Sequence, residues 1–286
     1  MLVGIGAIVV LLCVFGAYAV HGGHLGVLWQ PSEFVIIIGA AIGAYIIGNS
    51  KSTLKATGKA LKRALKGPHH KKADYIELLS LLYQIFKLAK TKGMLALEQH
   101  VEKPKESALF QQFPKFCSDH HAVEFLCDYL RMMTLGTENP NEVETVIDSE
   151  LETHHQELHD VSHAVQNIAD GMPALGIVAA VLGVIHTMGS ITEPPAVLGQ
   201  LIGAALVGTF AGVLMSYGFV APLANAIKTV DEADSKYYQC IKAGLLAHMQ
   251  GYPPAVSIEF ARKVLLSNER PNFYDVEQAV SALPPI

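Results

Sequence analysis

The chain has 286 residues, 51% of them hydrophobic and only 16% charged, with a formal net charge of −5. Its mean hydropathy is positive, at +0.32. This composition carries no electrostatic signature of a nucleic-acid reader and points to a membrane protein.

The distribution of charge says more than its amount. Residues 1–50 hold no Lys or Arg and one acid, Glu33; residues 173–227 hold no Lys or Arg and one acid, Glu193. Residues 51–172 carry 15 of the 21 Lys and Arg, and residues 228–286 carry the other six. A bilayer core about 30 Å thick takes roughly 20 apolar residues per helix, so each uncharged block is long enough for two spans and a turn. The first block breaks at His21-Gly22-Gly23-His24 and again before Trp29-Gln30-Pro31-Ser32-Glu33. The second breaks at Ser190-Ile191-Thr192-Glu193-Pro194-Pro195. Spans are expected near residues 2–20, 33–49, 172–190 and 198–223. Lys51, Lys55, Lys59, Lys62, Arg63 and Lys66 follow the second span directly. The positive-inside rule then puts residues 51–171 in the cytoplasm, and by parity both termini as well. That basic stretch also suits lipid headgroups. Ala17-Tyr18-Ala19 resembles a signal-peptidase site, but no charged region precedes the apolar run, which favours an uncleaved span. The expected division is 1–50, 51–171, 172–227 and 228–286, alternating membrane and cytoplasmic parts.

In the cytoplasmic part, residues 73–101 have apolar positions at mixed spacings of three and four, which predicts a helix, with Gly93 ending it. Residues 119–135 form a second amphipathic pattern through Val123, Leu126, Cys127, Leu130 and Met133. Asn139-Pro140-Asn141-Glu142 is a helix start. The helix it opens is expected to run into span three, and residues 228–250 to continue span four. No strand-like alternation is visible, so the fold class is all-α. Cys13, Cys117, Cys127 and Cys240 lack metal or redox spacing and read as reduced thiols. There is no phosphate-binding loop, no dinucleotide fingerprint and no nucleophile elbow, so neither an enzyme nor a cofactor is expected. His155, His159 and His163, at i, i+4 and i+8, could bind zinc. Without a Cys or a clear carboxylate partner, a solvated polar face is the simpler reading, and no metal is expected. His69-His70 and His120-His121 are read the same way.

Inside the membrane, small residues form stripes. Gly176, Ala180, Gly183 and Thr187 share one face of span three, and Ala204, Gly208, Gly212 and Ser216 recur along span four. Such stripes let helices approach closely in lipid. Pro173 opens span three and Pro222 closes span four, each removing a backbone donor. Thr209 lies deep in span four, where it would bond back to the Ala205 carbonyl or hold an ion or water. No Asp, Glu, Lys or Arg is expected within a span: Glu33 is read at the outer interface, and His186 is the one titratable candidate. A proton path would then need a carboxylate from another chain.

The run Ala205-Leu206-Val207-Gly208-Thr209-Phe210-Ala211-Gly212-Val213-Leu214, followed by Pro222, resembles the signature of the MotA family of flagellar stator subunits. The likeness extends to Gln30-Pro31-Ser32-Glu33, to Pro173 through Ala180, and to Gly251-Tyr252-Pro253-Pro254 with Glu259-Phe260, Arg262-Lys263 and Glu269-Arg270-Pro271. The wider MotA/TolQ/ExbB proton channel family includes three-span energising subunits for outer-membrane processes. Those are the alternative reading; four spans favour the motor branch. The resemblance implies a homo-oligomeric ring in the bacterial inner membrane, a pentamer around a dimer of a peptidoglycan-anchored MotB-like subunit. That partner supplies a membrane aspartate, and ion flow drives the rotor. It implies an ion path at Pro173, Ala180, Gly208, Thr209 and Pro222. Sodium-driven relatives carry threonines where this chain has Ala180 and Gly208, which favours protons as the coupling ion. It further implies contact with the rotor protein FliG through Lys90 and Glu98, with Glu150 as a weaker candidate. Lys90 stands where the family has arginine; it keeps the charge without the bidentate fork, and Lys87 and Lys92 lie nearby.

Overall fold

A computed structural model describes residues 2–137 and 139–284, and among these every regular element is helical. Four helices are long and apolar enough to cross a membrane: Leu2–Val20, Leu25–Gly48, Pro140–Met188 and Pro195–Met249. These are spans one to four. The last two continue well past the apolar stretch. At 1.5 Å per residue the 49-residue helix is about 70 Å long, more than twice the bilayer core.

The chain divides into two compact units. One is formed by Met1–Gly67 with Gln156–Val230, the other by Pro68–His155 with Asp231–Ile286. This division follows packing rather than the expected membrane boundary. It groups the basic helix Lys51–Lys66 with the spans.

In the first unit, Pro31 starts span two, where its missing N–H and fixed φ suit the first helical position. The inward positions of that helix are Glu33, Ile37 and Ala41, one residue per turn on a single face. Ile37 and Ala41 pack with Met172 and Ala179 of span three and Ala211 of span four. Ser50 accepts a hydrogen bond from the Thr53 N–H and caps the basic helix. That helix buries Thr57, Ala60 and Ala64 and leaves Lys51, Lys55, Lys59, Lys62 and Lys66 exposed. Its buried alanines meet Val161, Val165, Ala224 and Ile227. Spans three and four cross almost backbone to backbone. A Cβ on Gly176 would meet the Gly208 carbonyl oxygen at 2.7 Å, and one on Gly212 would meet the Met172 oxygen at 2.7 Å. The small-residue stripes are therefore required here: any side chain at these two positions collides with main chain, which cannot yield.

The second unit is built around the helix Lys72–Lys92, which is buried on nearly every side. Tyr75, Leu78, Leu79, Leu82, Ile85 and Phe86 anchor a core shared with Phe110, Phe116, Leu126, Tyr237 and Leu245. Local caps fix its surroundings. The Glu77 carboxylate accepts from the Lys115 and Phe116 amides at 2.8 and 3.0 Å. Asp119 accepts from Ala122 and starts the helix His120–Thr134. Arg262 is nearly buried; it pairs with Glu259 at 2.6 Å and donates to the Pro271 carbonyl at 2.8 Å. Arg270 donates to the Leu265 carbonyl at 2.8 Å. These late motif residues clamp the last two helices, Pro254–Lys263 and Phe273–Ser281.

Candidate functional site

Pro173 lies inside a continuous helix. Its ring nitrogen has no hydrogen for the carbonyl four residues earlier, that of Ala169. Ser216 of span four, fully buried, donates its hydroxyl to this same carbonyl at 2.6 Å. The bond satisfies the acceptor that the proline leaves bare and fastens span four to span three. Ser216 also begins a π-helical stretch, Ser216–Val220, just before Pro222. Adding one residue per turn there re-pairs the backbone ahead of a proline that cannot donate to Gly218. The two prolines are thus tied to one irregularity, a bond 47 residues apart in sequence. From sequence alone, Ser216 reads only as a packing residue of the stripe.

Ala180 and Gly208 are buried at the crossing of spans three and four; Thr209 and Pro173 are half-buried and Pro222 is exposed. A Cβ on Gly208 would meet the Ala180 amide nitrogen at 3.0 Å. Ala180 and Gly208 therefore meet at the crossing of spans three and four; Thr209 follows Gly208 directly, and Pro222 lies beyond the Ser216 bond in sequence. The Thr209 hydroxyl makes no hydrogen bond among the described residues; the back-bond to the Ala205 carbonyl is not formed. Thr187 of span three does make that kind of bond, to the Gly183 carbonyl at 2.9 Å. A membrane hydroxyl left uncommitted is available to an ion or a water.

Glu33 requires a correction. Read from sequence as an interfacial residue, it is 8% exposed, and its Oε2 has no hydrogen-bond partner. That oxygen lies 2.9 Å from where a Gly208 Cβ would stand, and Oε1 lies 3.7 Å from the corresponding point on Gly183. A carboxyl group is therefore present within the spans, and His186, which is exposed, is not the one titratable group there. Glu33 thus supplies a carboxyl within this chain, and a partner's carboxylate is implied by the family resemblance alone. The physical reason is that burial of Glu33 depends on glycines 150 and more residues away, which no local pattern reveals.

In the second unit, Lys90 sits in the exposed last turn of Lys72–Lys92 and Glu98 begins the short helix Glu98–Glu102. Gly93, at φ +84°, turns the chain between them, and buried Leu97 holds the return. Neither charge forms an ion pair among the described residues. Glu150 is exposed but accepts the Tyr129 hydroxyl, so part of its acceptor capacity is committed. The same bond and burial hold the Tyr129 phenol above its ordinary range. Lys242 pairs with Asp148 at 2.6 Å and with Glu144 at 3.2 Å.

Histidine forms one compact group. His69, His70 and Asp119 bring ligand atoms within 4.8 Å of one another. His70 is stacked on Tyr237 with centroids 3.7 Å apart, the Asp119 oxygen lies 3.5 Å from its Nε2, and the His69 amide donates to Asp234. Burial among these groups pushes the His70 pKa down, against the upward pull of Asp234 and Asp119. His159 and His163, the expected polar face, stack on each other at 5.8 Å.

Four candidate spans, two of them crossing at glycine beside a buried carboxyl, define a helical multi-pass membrane protein. Comparisons with known proteins make this specific. Residues 4–93 match the motility protein A N-terminal model, and residues 118–239 match that of the MotA/TolQ/ExbB proton channel family. Motility protein A of Salmonella typhimurium is 43% identical over 99% of this chain and 96% of its own length. That of Escherichia coli is 44% identical with the same coverage, and chemotaxis protein LafT of Vibrio parahaemolyticus is 37% identical over 96% of each. Among solved structures, C. jejuni MotAB matches with a TM-score of 0.77 at 20% identity, covering 93% of this chain and 96% of that one. The Bacillus subtilis MotAB stator complex matches with a TM-score of 0.71 at 24% identity, covering 89% and 91%; both likenesses bear on the fold. The chain belongs to the motility protein A family, the stator subunits of the bacterial flagellar motor.

Proposed function

We propose that this stator subunit is driven by protons and works as a pentameric ring around a dimer of a MotB-like, peptidoglycan-anchored subunit in the bacterial inner membrane. Both termini and the helical second unit face the cytoplasm. The positive-inside reading of Lys51 to Lys66 supports this orientation. The titles of the matched structures name MotAB complexes, which supports a MotB-like partner.

The observation that carries the proposal is Thr209. Its uncommitted hydroxyl lies one residue from Gly208, where span four packs closely on span three. In the proposed cycle a proton reaches the partner's membrane aspartate beside Thr209. Neutralising that charge changes which of two arrangements of the spans is favoured, as any switch requires. Ser216 and Pro173 set the hinge between the arrangements. Lys90 and Glu98 carry the motion to rotor charges on FliG through exposed ion pairs, which salt weakens. Proton coupling fits the crowding at Gly208, where the Ala180 amide and the Glu33 oxygen leave no room for an added threonine ligand. No bound cofactor or metal is required.

The test is proton flux into vesicles from cells expressing the chain with its MotB-like partner. Flux that disappears when the partner's aspartate becomes asparagine supports the proposal. Equal flux with either partner contradicts it.

A further inference from the structure

Resting on the stator reading above, we propose that Glu33 is a proton-binding site of this chain's own, at the meeting of spans two, three and four, loading protons on their way to Thr209. Four observations converge on it. The side chain is on the inward face of span two, in register with Ile37 and Ala41, and is 8% exposed. Its Oε2 has no hydrogen-bond partner, so the acid neither caps a helix nor closes an ion pair among the described residues. Two glycines make its space: the oxygens lie 2.9 Å from the point where a Gly208 Cβ would stand and 3.7 Å from that of Gly183. And Gly208 is bonded directly to Thr209, whose hydroxyl is uncommitted.

The surroundings decide which cation suits this carboxyl. Gly183 of span three and Gly208 of span four lie against it, with Ala179, Ala180 and Ala205 packed at the same glycines; none of these is titratable or charged. Thr187, one turn from Gly183, spends its hydroxyl on the Gly183 carbonyl. His186 on the same turn is exposed and makes no ion pair among the described residues. On its own span, the neighbouring Phe34 ring packs with Trp29 at 6.0 Å. A buried anion without a partner is costly, and binding a cation removes that cost. A metal cation needs several oxygen ligands, which glycine and alanine side chains do not offer. A proton needs only the carboxylate.

The experiment uses the full chain with its MotB-like partner in membrane vesicles. Glu33→Gln, nearly isosteric, is expected to lower proton flux tenfold or more with unchanged membrane level and partner co-purification. Glu33→Asp is expected to retain measurable flux. Wild-type flux in E33Q with an unchanged pH profile would overturn the proposal. A second measurement does not depend on the variant assembling. A membrane-soluble carbodiimide attacks protonated carboxyls, so labelling of Glu33 in the wild type, read by peptide mass spectrometry, is expected to fall as pH rises. Labelling absent at every pH, or protection by sodium at fixed pH, would overturn the assignment to protons. Vesicles in which the wild type conducts nothing would count against the stator reading instead, with the labelling still deciding Glu33.

Discussion

Ser216 and Thr209 illustrate how differently two hydroxyls on one helix are used. Ser216 spends its proton on the Ala169 carbonyl that Pro173 leaves without a donor. Ser216→Ala leaves that buried acceptor unpaired, a loss of about 1–3 kcal/mol. It is expected to lower the thermal midpoint of the detergent-solubilised complex, while Pro173→Ala, which restores a helical donor, makes the serine dispensable in a double variant. Thr209, in contrast, makes no hydrogen bond among the described residues. Thr209→Val, of similar shape, is expected to leave assembly intact and abolish swimming in soft agar, and Thr209→Ser to retain it. Histidine adds a pH effect. Burial lowers the pKa of His70, stacked on Tyr237, and of His248, stacked on Phe86 with Lys90 nearby. The folded protein therefore binds fewer protons than the unfolded chain below the ordinary histidine range. Stability is full above that range and is lost as pH falls through it toward the depressed folded values. The thermal midpoint should decline on acidification from pH 7.5, and less steeply in His70→Gln.

At the scale of helices, the glycines divide into two kinds. A Cβ added at Gly176 or Gly212 would meet backbone atoms of the opposing span at 2.7 Å, so Gly176→Ala and Gly212→Ala force the crossing apart. Overpacking of this kind costs about 1–3 kcal/mol, and more where main chain is the obstacle. Gly58 on the basic helix has open space, and Gly58→Ala is expected to be neutral or to stabilise by roughly 0.5–1 kcal/mol. Comparing complex yield and thermal midpoint across the three variants separates contact from propensity. The helix boundaries were readable because their signals are local. Asn139 begins the long helix by accepting from the Asn141 amide at 3.1 Å, and Gly93 ends the buried helix at φ +84°. The spans were readable from the absence of charge. Glu33 and Ser216 were not, because each acquires its role from a residue on another helix: Gly208 for the first, the Ala169 carbonyl for the second. An acid two residues after a helix-starting proline looks interfacial in sequence, and a serine in a glycine stripe looks like packing. Glu259, Arg262 and Arg270 were legible as a motif but not as a clamp, since the Pro271 and Leu265 carbonyls they involve carry no sequence signature.

For the whole molecule, the two ends of the proposed machine lie in the two units: Thr209 with the spans in the first, Lys90 and Glu98 in the second. Because Lys90 and Glu98 are exposed and form no ion pair among the described residues, changing them should alter stability by less than about 0.5 kcal/mol. Lys90→Glu is then expected to reduce swimming strongly without reducing membrane level, with Lys90→Arg at or above wild type. A loss of complex equal to the loss of motility would instead assign Lys90 to the fold. The MotA/TolQ/ExbB family match and 43% identity to motility protein A fix the class of machine, and the coupling ion sets what powers it. The direct measurement is swimming speed in sodium-free medium, with and without a protonophore, in cells whose stator is this chain with its MotB-like partner. Full speed without sodium and arrest by the protonophore is the predicted result; speed that follows external sodium and survives the protonophore would contradict it.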